Sequence, residues 1–208
     1  MTGFFLSFVL DVGAQNDQKI LVVNDLIEHY SLSKYVEILE DPTGKLNIND
    51  IVKKRWQKKF KKRSERKLNF GYSKSTFWAR VKIKNKSKEH KTWLLSHHYF
   101  LQDEVELFRE VEKGLWVGSK TGDTFPFLTR EIEARSFSFK IKPVLDSMYY
   151  VKIRGTANQM DLTLSSPIQF AKDQTKDNYI LGLFFGLVLS SHLSTFFFGL
   201  FSVFFLCF

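Results

Sequence analysis

Aromatic and basic residues at alternate positions form the most distinctive candidate binding surfaces in this sequence. Trp78 and Arg80 are two residues apart, and Tyr150, Lys152 and Arg154 repeat the same spacing. Alternate residues of a β-strand share one face of the sheet, so each group can line a single surface. An aromatic ring offers a flat apolar face, and neighbouring cationic side chains can donate hydrogen bonds to a polar ligand. The pattern therefore predicts that these five residues contact a small molecule or a glycan.

The same residues also fit a structural role. In that interpretation, Trp78 packs within the protein and Arg80 pairs with a carboxylate such as Glu104. Trp93 and Trp116 are assigned to packing. Both interpretations of Trp78 and Arg80 stay open at this stage.

Motifs for catalysis and metal binding have little support. The sequence contains no Gly-rich phosphate loop, no GxSxG elbow and no HExxH. His97 and His98 are adjacent, so on a strand they point to opposite faces and do not readily share a metal ion. Glu104 and Glu106 can share a face, but a glycosidase pair needs a defined separation across a cleft. The sequence predicts no enzymatic activity, no cofactor and no metal site.

Short alternating segments predict the elements that position these residues. Phe77, Ala79, Val81 and Ile83 alternate with polar or aromatic neighbours, a clear period of two. The predicted strands are residues 20–23, 35–40, 77–83, 92–99, 105–108, 115–117, 137–141, 149–153 and 162–164. Many short strands separated by turns favour a mainly β fold, an antiparallel β-sandwich, over alternating βα units.

A basic segment follows the first predicted turn. Ile48, Val52, Trp56 and Phe60 recur every four residues as on one helical face, with Asn47 or Asn49 as the cap. Lys and Arg dominate residues 53–67. Such a run can attract acidic polymers or anionic lipid, or it can simply form a solvated face. Nucleic acid is not an expected partner, because an exported domain does not meet it.

The carboxy-terminal stretch predicts a membrane anchor. Residues 179–208 contain no Asp, Glu, Lys or Arg, and about 20 mostly apolar residues suffice to cross a bilayer. Ser166 and Pro167 predict a helix start as cap and first residue. Small and polar residues in the stretch are expected to face sister transmembrane helices.

The amino terminus resembles a weak secretory signal. Residues 3–10 are apolar, and Val12-Gly13-Ala14 places small residues before a cut after Ala14; an apolar strand is the alternative. The formal net charge is +9, and the single cysteine, Cys207, lies in the apolar tail. A disulfide framework and a thiolate metal site are therefore excluded for the polar region.

Several motifs in a fixed order resemble one receptor family. They include Leu-Glu-Asp-Pro-Thr-Gly-Lys-Leu-Asn-Ile at 39–48, Leu-Asn-Phe-Gly-Tyr-Ser-Lys-Ser-Thr-Phe-Trp-Ala-Arg at 68–80 and Asp-Glu-Val-Glu-Leu-Phe at 103–108. Segments 93–95, 121–127, 130–132, 137–139 and 149–153 follow in the same order. The resemblance is to the second extracellular domain type of seven-transmembrane receptors with diverse intracellular signalling modules.

This resemblance implies a jelly-roll-like β-sandwich similar to carbohydrate-binding modules, exported and followed by membrane helices. Two departures stand out. The basic run at 53–67 is heavier than the family shows, and Lys152 stands where the family usually has Arg, which replaces a planar bidentate donor by a point charge. No signalling output follows the first membrane helix, so the chain is expected to be cut short.

The sequence therefore predicts an exported, membrane-anchored sensor domain, periplasmic or extracellular, that binds a small molecule or glycan. The alternative is a membrane-anchored structural or adhesion module whose basic face holds acidic envelope polymers or lipid. Sister transmembrane helices or a homodimer are further expected partners. The predicted divisions are a weak signal peptide at 1–14, an N-terminal segment at 15–34, the sandwich at 35–166, a juxtamembrane helix at 167–178 and a transmembrane helix at 179–208.

Overall fold

The computed structural model describes residues 19–63, 68–144 and 146–206, with side chains of the last helix described as far as Phe196. The predicted signal peptide, residues 1–14, lies outside these ranges. So do Arg66 and Lys67 of the basic run, and the last two residues of the predicted transmembrane segment.

β-Strands dominate the described part of the chain. In order they are β1 (Ile20–Val23), β2 (His29–Ser31), β3 (Glu37–Asp41), β4 (Lys61–Lys62), β5 (Leu68–Tyr72), β6 (Thr76–Asn85), β7 (Trp93–His97), β8 (Glu104–Glu112), β9 (Leu115–Thr121), β10 (Phe137–Ile141), β11 (Ser147–Arg154), β12 (Ala157–Met160) and β13 (Leu162–Ser165). The helices are α1 (Ile48–Ile51), α2 (Lys54–Gln57) and α3 (Pro167–Leu206), and Phe127–Thr129 form a 3-10 turn.

The strands form a large sheet, a small sheet and a two-stranded ribbon. The large sheet has the order β4-β3-β6-β11-β8-β9, and β1 joins it by pairing in parallel with the second half of β6. The small sheet has the order β10-β7-β13-β2, and β5 pairs with β12 in the ribbon. Within the described residues every other pair is antiparallel. The predicted mainly antiparallel β fold is confirmed.

The main core lies between the two sheets. The inward side chains of β6, at alternate positions from Phe77 to Ile83, pack in one cluster with Trp93 and Leu95 of β7 and with Phe137 and Phe139 of β10. Each large apolar side chain that leaves water completely contributes about 1.5–3 kcal/mol. The same cluster includes residues of β1 and β2. The segment before residue 35 is therefore built into the sandwich.

Two short helices replace the single helix predicted from Ile48 to Phe60. Asn47 caps α1 with a capping box, in which its side chain accepts a hydrogen bond from the Asp50 N–H. The extended backbone at Lys53 ends this first turn before α2 begins. The side-chain amide of Gln57 then donates to the Ile51 carbonyl oxygen at 2.6 Å, so α2 satisfies a free carbonyl of α1.

Helix α3 follows β13 without a linker. The Ser166 hydroxyl accepts a hydrogen bond from the Gln169 N–H at 3.1 Å, so Ser166 caps the helix and Pro167 is its first residue. The helix is continuous for 40 residues, with no break between the predicted juxtamembrane and transmembrane parts. Within its Pro167–Phe196 portion, an 18-residue window has a mean hydropathy of 1.5 and no buried residues, so the helix is long and apolar enough to cross a membrane.

His97 is a titratable side chain inside the core. Burial lowers the pKa of His97 to about 4 from its ordinary value of 6.5. Between pH 6.5 and pH 4, His97 is therefore neutral in the folded protein but protonated in the unfolded chain. Because the unfolded chain binds the extra proton, the free energy of unfolding is highest above pH 6.5 and decreases as the pH falls toward 4.

We expect the variant His97→Leu to lose stability less steeply than the wild type over that pH interval. Between pH 6.5 and pH 4, the wild type should lose about 3 kcal/mol more of its free energy of unfolding than the variant does. Urea unfolding of the full chain in detergent micelles, followed across the interval, measures it. Identical pH dependence in both proteins would contradict the assignment.

Candidate ligand-binding site

Strand register brings the two predicted residue groups onto one surface. Lys152 of β11 is directly opposite Trp78 of β6, and Tyr150 is opposite Arg80. Residues in register share a face, so these four belong to the outer face of the large sheet, away from the small sheet. The Lys152 ammonium lies 5.5 Å from the Trp78 ring. The sequence spacing predicted two separate surfaces, but the structure joins them into one.

The centre of this outer face is covered. Trp78 has none of its surface exposed, because it packs in a second apolar cluster with Leu39, Phe60, Phe108 and residues of α1. Its ring stacks on that of Phe108 at a centroid distance of 5.4 Å. The segment that carries α1 and α2 thus closes over Trp78.

Arg80 is held by a buried ion pair. Its Nε donates to Glu37 Oε2 at 2.7 Å, and its Nη2 lies 2.6 Å from the same oxygen. Its Nη1 donates to both the backbone carbonyl and the side-chain Oε1 of Gln57, at 3.0 and 2.6 Å. The guanidinium also lies 4.6 Å from the centre of the Phe60 ring. The scaffold interpretation named Glu104 as the carboxylate, but Glu104 pairs with Lys120 at 3.0 Å.

Tyr150 and Lys152 extend this packed region toward solvent. Burial raises the pKa of Tyr150, whose side chain is hydrogen-bonded to Gln57 and whose ring meets Trp116 edge-on at 5.1 Å. Lys152 is half-buried and pairs with Glu106 at 3.6 Å. The face therefore changes from apolar to charged between these two residues.

Arg154 lies where the outer face reaches the end of the sandwich. It is exposed, pairs in register with Glu104, and lines a cleft of about 630 Å³. Other residues that line the cleft are Tyr72, Ser73, Lys74, Asp103, Glu104, Thr124, Gly155 and Thr156. Tyr72 has 88% of its surface exposed. An aromatic ring, two cations and two carboxylates thus surround one open cleft.

Buried amides hold the walls of this cleft together. Asn158 donates to the carbonyl oxygens of Ser73 and Gly155, each at 2.9 Å, and accepts a hydrogen bond from Gln102 at 3.0 Å. Gly155 permits this close approach, because a Cβ there would lie 2.7 Å from Gln102 Nε2. Gly122 has a φ of +155°, and a Cβ on it would overlap the Asp103 carbonyl oxygen.

The chemistry of the cleft suits a neutral or mixed polar ligand. Arg154 and Lys74 donate hydrogen bonds, Asp103 and Glu104 accept them, and the Tyr72 ring offers an apolar face. Among the described residues no group of three or more His, Cys, Asp or Glu side chains is placed to hold a metal ion. Spacing along the chain identified only Arg154 here. Tyr72, the last residue of β5, and Asp103, in the β7–β8 loop, come from other parts of the chain, and only Gly71 beside Tyr72 indicates a turn in the sequence.

The buried ion pair yields a test of the outer face. Arg80→Leu should lower the free energy of unfolding by about 3–5 kcal/mol, because it leaves the Glu37 carboxylate buried without a cation. The double variant with Glu37→Leu should recover part of this loss. Urea unfolding in detergent micelles measures both.

Lys82→Leu is the matched control, since Lys82 lies two residues along the same strand and pairs with Asp146 in a partly exposed bridge. Its cost should stay below about 1 kcal/mol. Equal losses in Arg80→Leu and Lys82→Leu would show that Arg80 contributes no more than a surface charge.

Comparison with known proteins agrees with the motif order. The family model described as 7TMR-DISM extracellular 2 matches residues 33–166, from just before β3 to the residue that caps α3. No curated protein matches the chain. The matched segment is more than half of the sequence and contains both the outer face and the cleft. The chain therefore belongs to the 7TMR-DISM extracellular 2 family, the extracellular domains of seven-transmembrane receptors.

Proposed function

We propose that this chain is the ligand-sensing part of a membrane receptor, anchored by α3, and that it binds a carbohydrate or similar polar molecule without altering it chemically. The observation that carries the proposal is the open cleft in which Arg154, Asp103 and Glu104 surround the exposed ring of Tyr72. The resemblance to sandwich domains similar to carbohydrate-binding modules supports the ligand class. Membership in a family of extracellular receptor domains supports a non-enzymatic role.

Within this proposal the predicted site residues have different tasks. Arg154 contacts the ligand, and Lys152 lies beside it on the same face. Trp78, Arg80 and Tyr150 do not line the cleft but hold the packed centre of the outer face, since they are buried and partnered. The ligand is expected to replace water at the Arg154 guanidinium, where a hydrogen bond to a charged group contributes about 1.5–3 kcal/mol.

A short path connects the cleft to the helix. Gly155 and Thr156 form one cleft wall, β12 and β13 follow directly, and α3 starts at Pro167. The first turns of α3 are tied to the domain: the Ser166 N–H donates to the Glu28 carbonyl oxygen at 2.7 Å. A ligand that favours one arrangement of the cleft walls would therefore bias the position of the helix.

The proposal places the domain outside the cell or in the periplasm, with α3 in the bilayer. Gly182 and Gly186 lie one turn apart on α3, and a shallow groove runs over them. Small residues at this spacing let a second helix approach closely. This supports sister transmembrane helices, or a second copy of the chain, as partners in the membrane.

The exposed basic run supports one rival function. Lys53, Lys54, Arg55, Lys58 and Lys59 are all exposed on and around α2. Such a surface fits a membrane-anchored adhesion module that holds acidic envelope polymers or lipid. Its binding would weaken steeply with added salt, whereas a neutral sugar in the cleft would respond little.

We expect Arg154→Ala and Tyr72→Ala each to weaken binding of the full chain, in detergent micelles, to oligosaccharides on a glycan array. The loss should be about tenfold or more for Arg154→Ala, which removes a charged donor. Arg55→Ala is the control, because it removes an exposed arginine from the basic run instead.

Unchanged oligosaccharide binding in both cleft variants would refute the cleft assignment. Loss of binding in Arg55→Ala, together with loss at raised ionic strength, would favour the adhesion module.

A further inference from the structure

We infer that the end of the sandwich beside α3 rests on the membrane surface through two apolar loops. These membrane-facing loops are residues 98–103, between β7 and β8, and residues 122–135, between β9 and β10. The inference depends on the proposed crossing of the bilayer by α3. Asp103 and Thr124 of these loops also line the proposed ligand cleft, so the contact with lipid is confined to the apolar tips.

Both loops expose large apolar side chains. Leu128 has 89% of its surface exposed, and Phe100 has 45%. Leu101 and Phe127, next to them in each loop, are about half exposed. Single exposed apolar residues are ordinary, but four at one end of a domain point to a contact surface.

The two loops lie together at the same end of the molecule. The Asp123 N–H donates to the Gln102 carbonyl oxygen at 2.9 Å, and the Thr124 hydroxyl donates to the Asp103 carbonyl oxygen at 2.8 Å. The 3-10 turn that carries Leu128 is tied to the end of β9, where Thr121 and Thr129 are hydrogen-bonded at 3.1 Å. The apolar tips therefore share one rim.

Helix α3 runs toward this rim. It starts after Ser165, at the end of β13 that lies away from the rim. Farther along the helix, Asp173 and Asp177 line a cleft of about 230 Å³ together with His98, Phe100 and Arg135 of the rim. The predicted transmembrane stretch, residues 179–208, begins two residues after Asp177. Two helical residues advance about 3 Å along the axis, while the polar layer of each leaflet is about 5–7 Å thick. Once α3 is embedded, Phe100 lies at the level of the lipid head groups.

Arginines accompany the exposed rings. The Arg135 guanidinium lies 5.2 Å from the centre of the Phe100 ring, and that of Arg130 lies 4.8 Å from the Phe127 ring. In the interface, such a ring can enter the acyl boundary while the guanidinium meets a lipid phosphate. Asp123 and Glu133 on the same loop are exposed as well. The contact therefore depends on apolar insertion more than on net charge, unlike the basic run at α2.

The test uses the full chain in phosphatidylcholine–phosphatidylglycerol vesicles, with Cys207→Ser as background. An environment-sensitive fluorophore is attached at Leu128→Cys, at Leu26→Cys or at Phe184→Cys, and quenching by lipids with a nitroxide at the head group or in the acyl chain is recorded. Leu26 is the matched control, since it has 91% of its surface exposed but lies in the β1–β2 loop. Phe184 reports on α3 itself.

We expect quenching by head-group nitroxide and a blue shift at position 128, neither of them at position 26, and strong quenching by acyl-chain nitroxide at position 184. Quenching at 184 without any at 128 would overturn the inference and leave the anchor intact. Protection of position 128 from aqueous iodide without lipid quenching would assign this rim to a protein partner, which also overturns it. Absence of acyl-chain quenching at position 184 would refute the membrane anchor and, with it, this inference.

Discussion

The buried ion pair between Arg80 and Glu37 is the interaction on which the outer half of this domain depends. β6 lies in the middle of the large sheet, and both of its faces are removed from water. The small sheet covers one face. The segment with α1 and α2 covers the other, and Gln57 joins that segment to the guanidinium. Without a carboxylate at position 37 and an amide at position 57, the cation could not be buried here.

This cover keeps Trp78 out of reach of a ligand. An open sheet face would offer Trp78 as a stacking platform, but here its ring is covered, and the proposed ligand cleft lies at the end of the sheet. There, the loops after β5, β7, β9 and β11 meet, and glycines allow their backbones to approach closely. The domain thus combines a covered, packed centre with a polar rim made of loops, and loops tolerate sequence changes more easily than a packed core does.

Much of the fold follows from patterns in the sequence, and the reasons for the exceptions are physical. The period of two at residues 77–83 predicted both β6 and the shared face of Trp78 and Arg80. It did not predict that Tyr150 and Lys152 lie opposite them, because alternation fixes a face and not a partner strand. No alternating pattern marked β2, β4, β5 and β12, and three of these four strands have four residues or fewer. The partner of Arg80 is 43 residues away in sequence, and the cleft is made by loops whose convergence only the tertiary structure defines.

The direct passage from β13 into α3 makes the helix a lever with its pivot at Ser166. Forty residues of helix span about 60 Å, so a tilt of about 5° at the pivot would move the far end by about 5 Å. A flexible connection would absorb so small a rotation, but a capped helix that begins at Pro167 transmits it. With α3 in the bilayer as proposed above, motions too small to disturb the packing of the sandwich would be amplified on its other side.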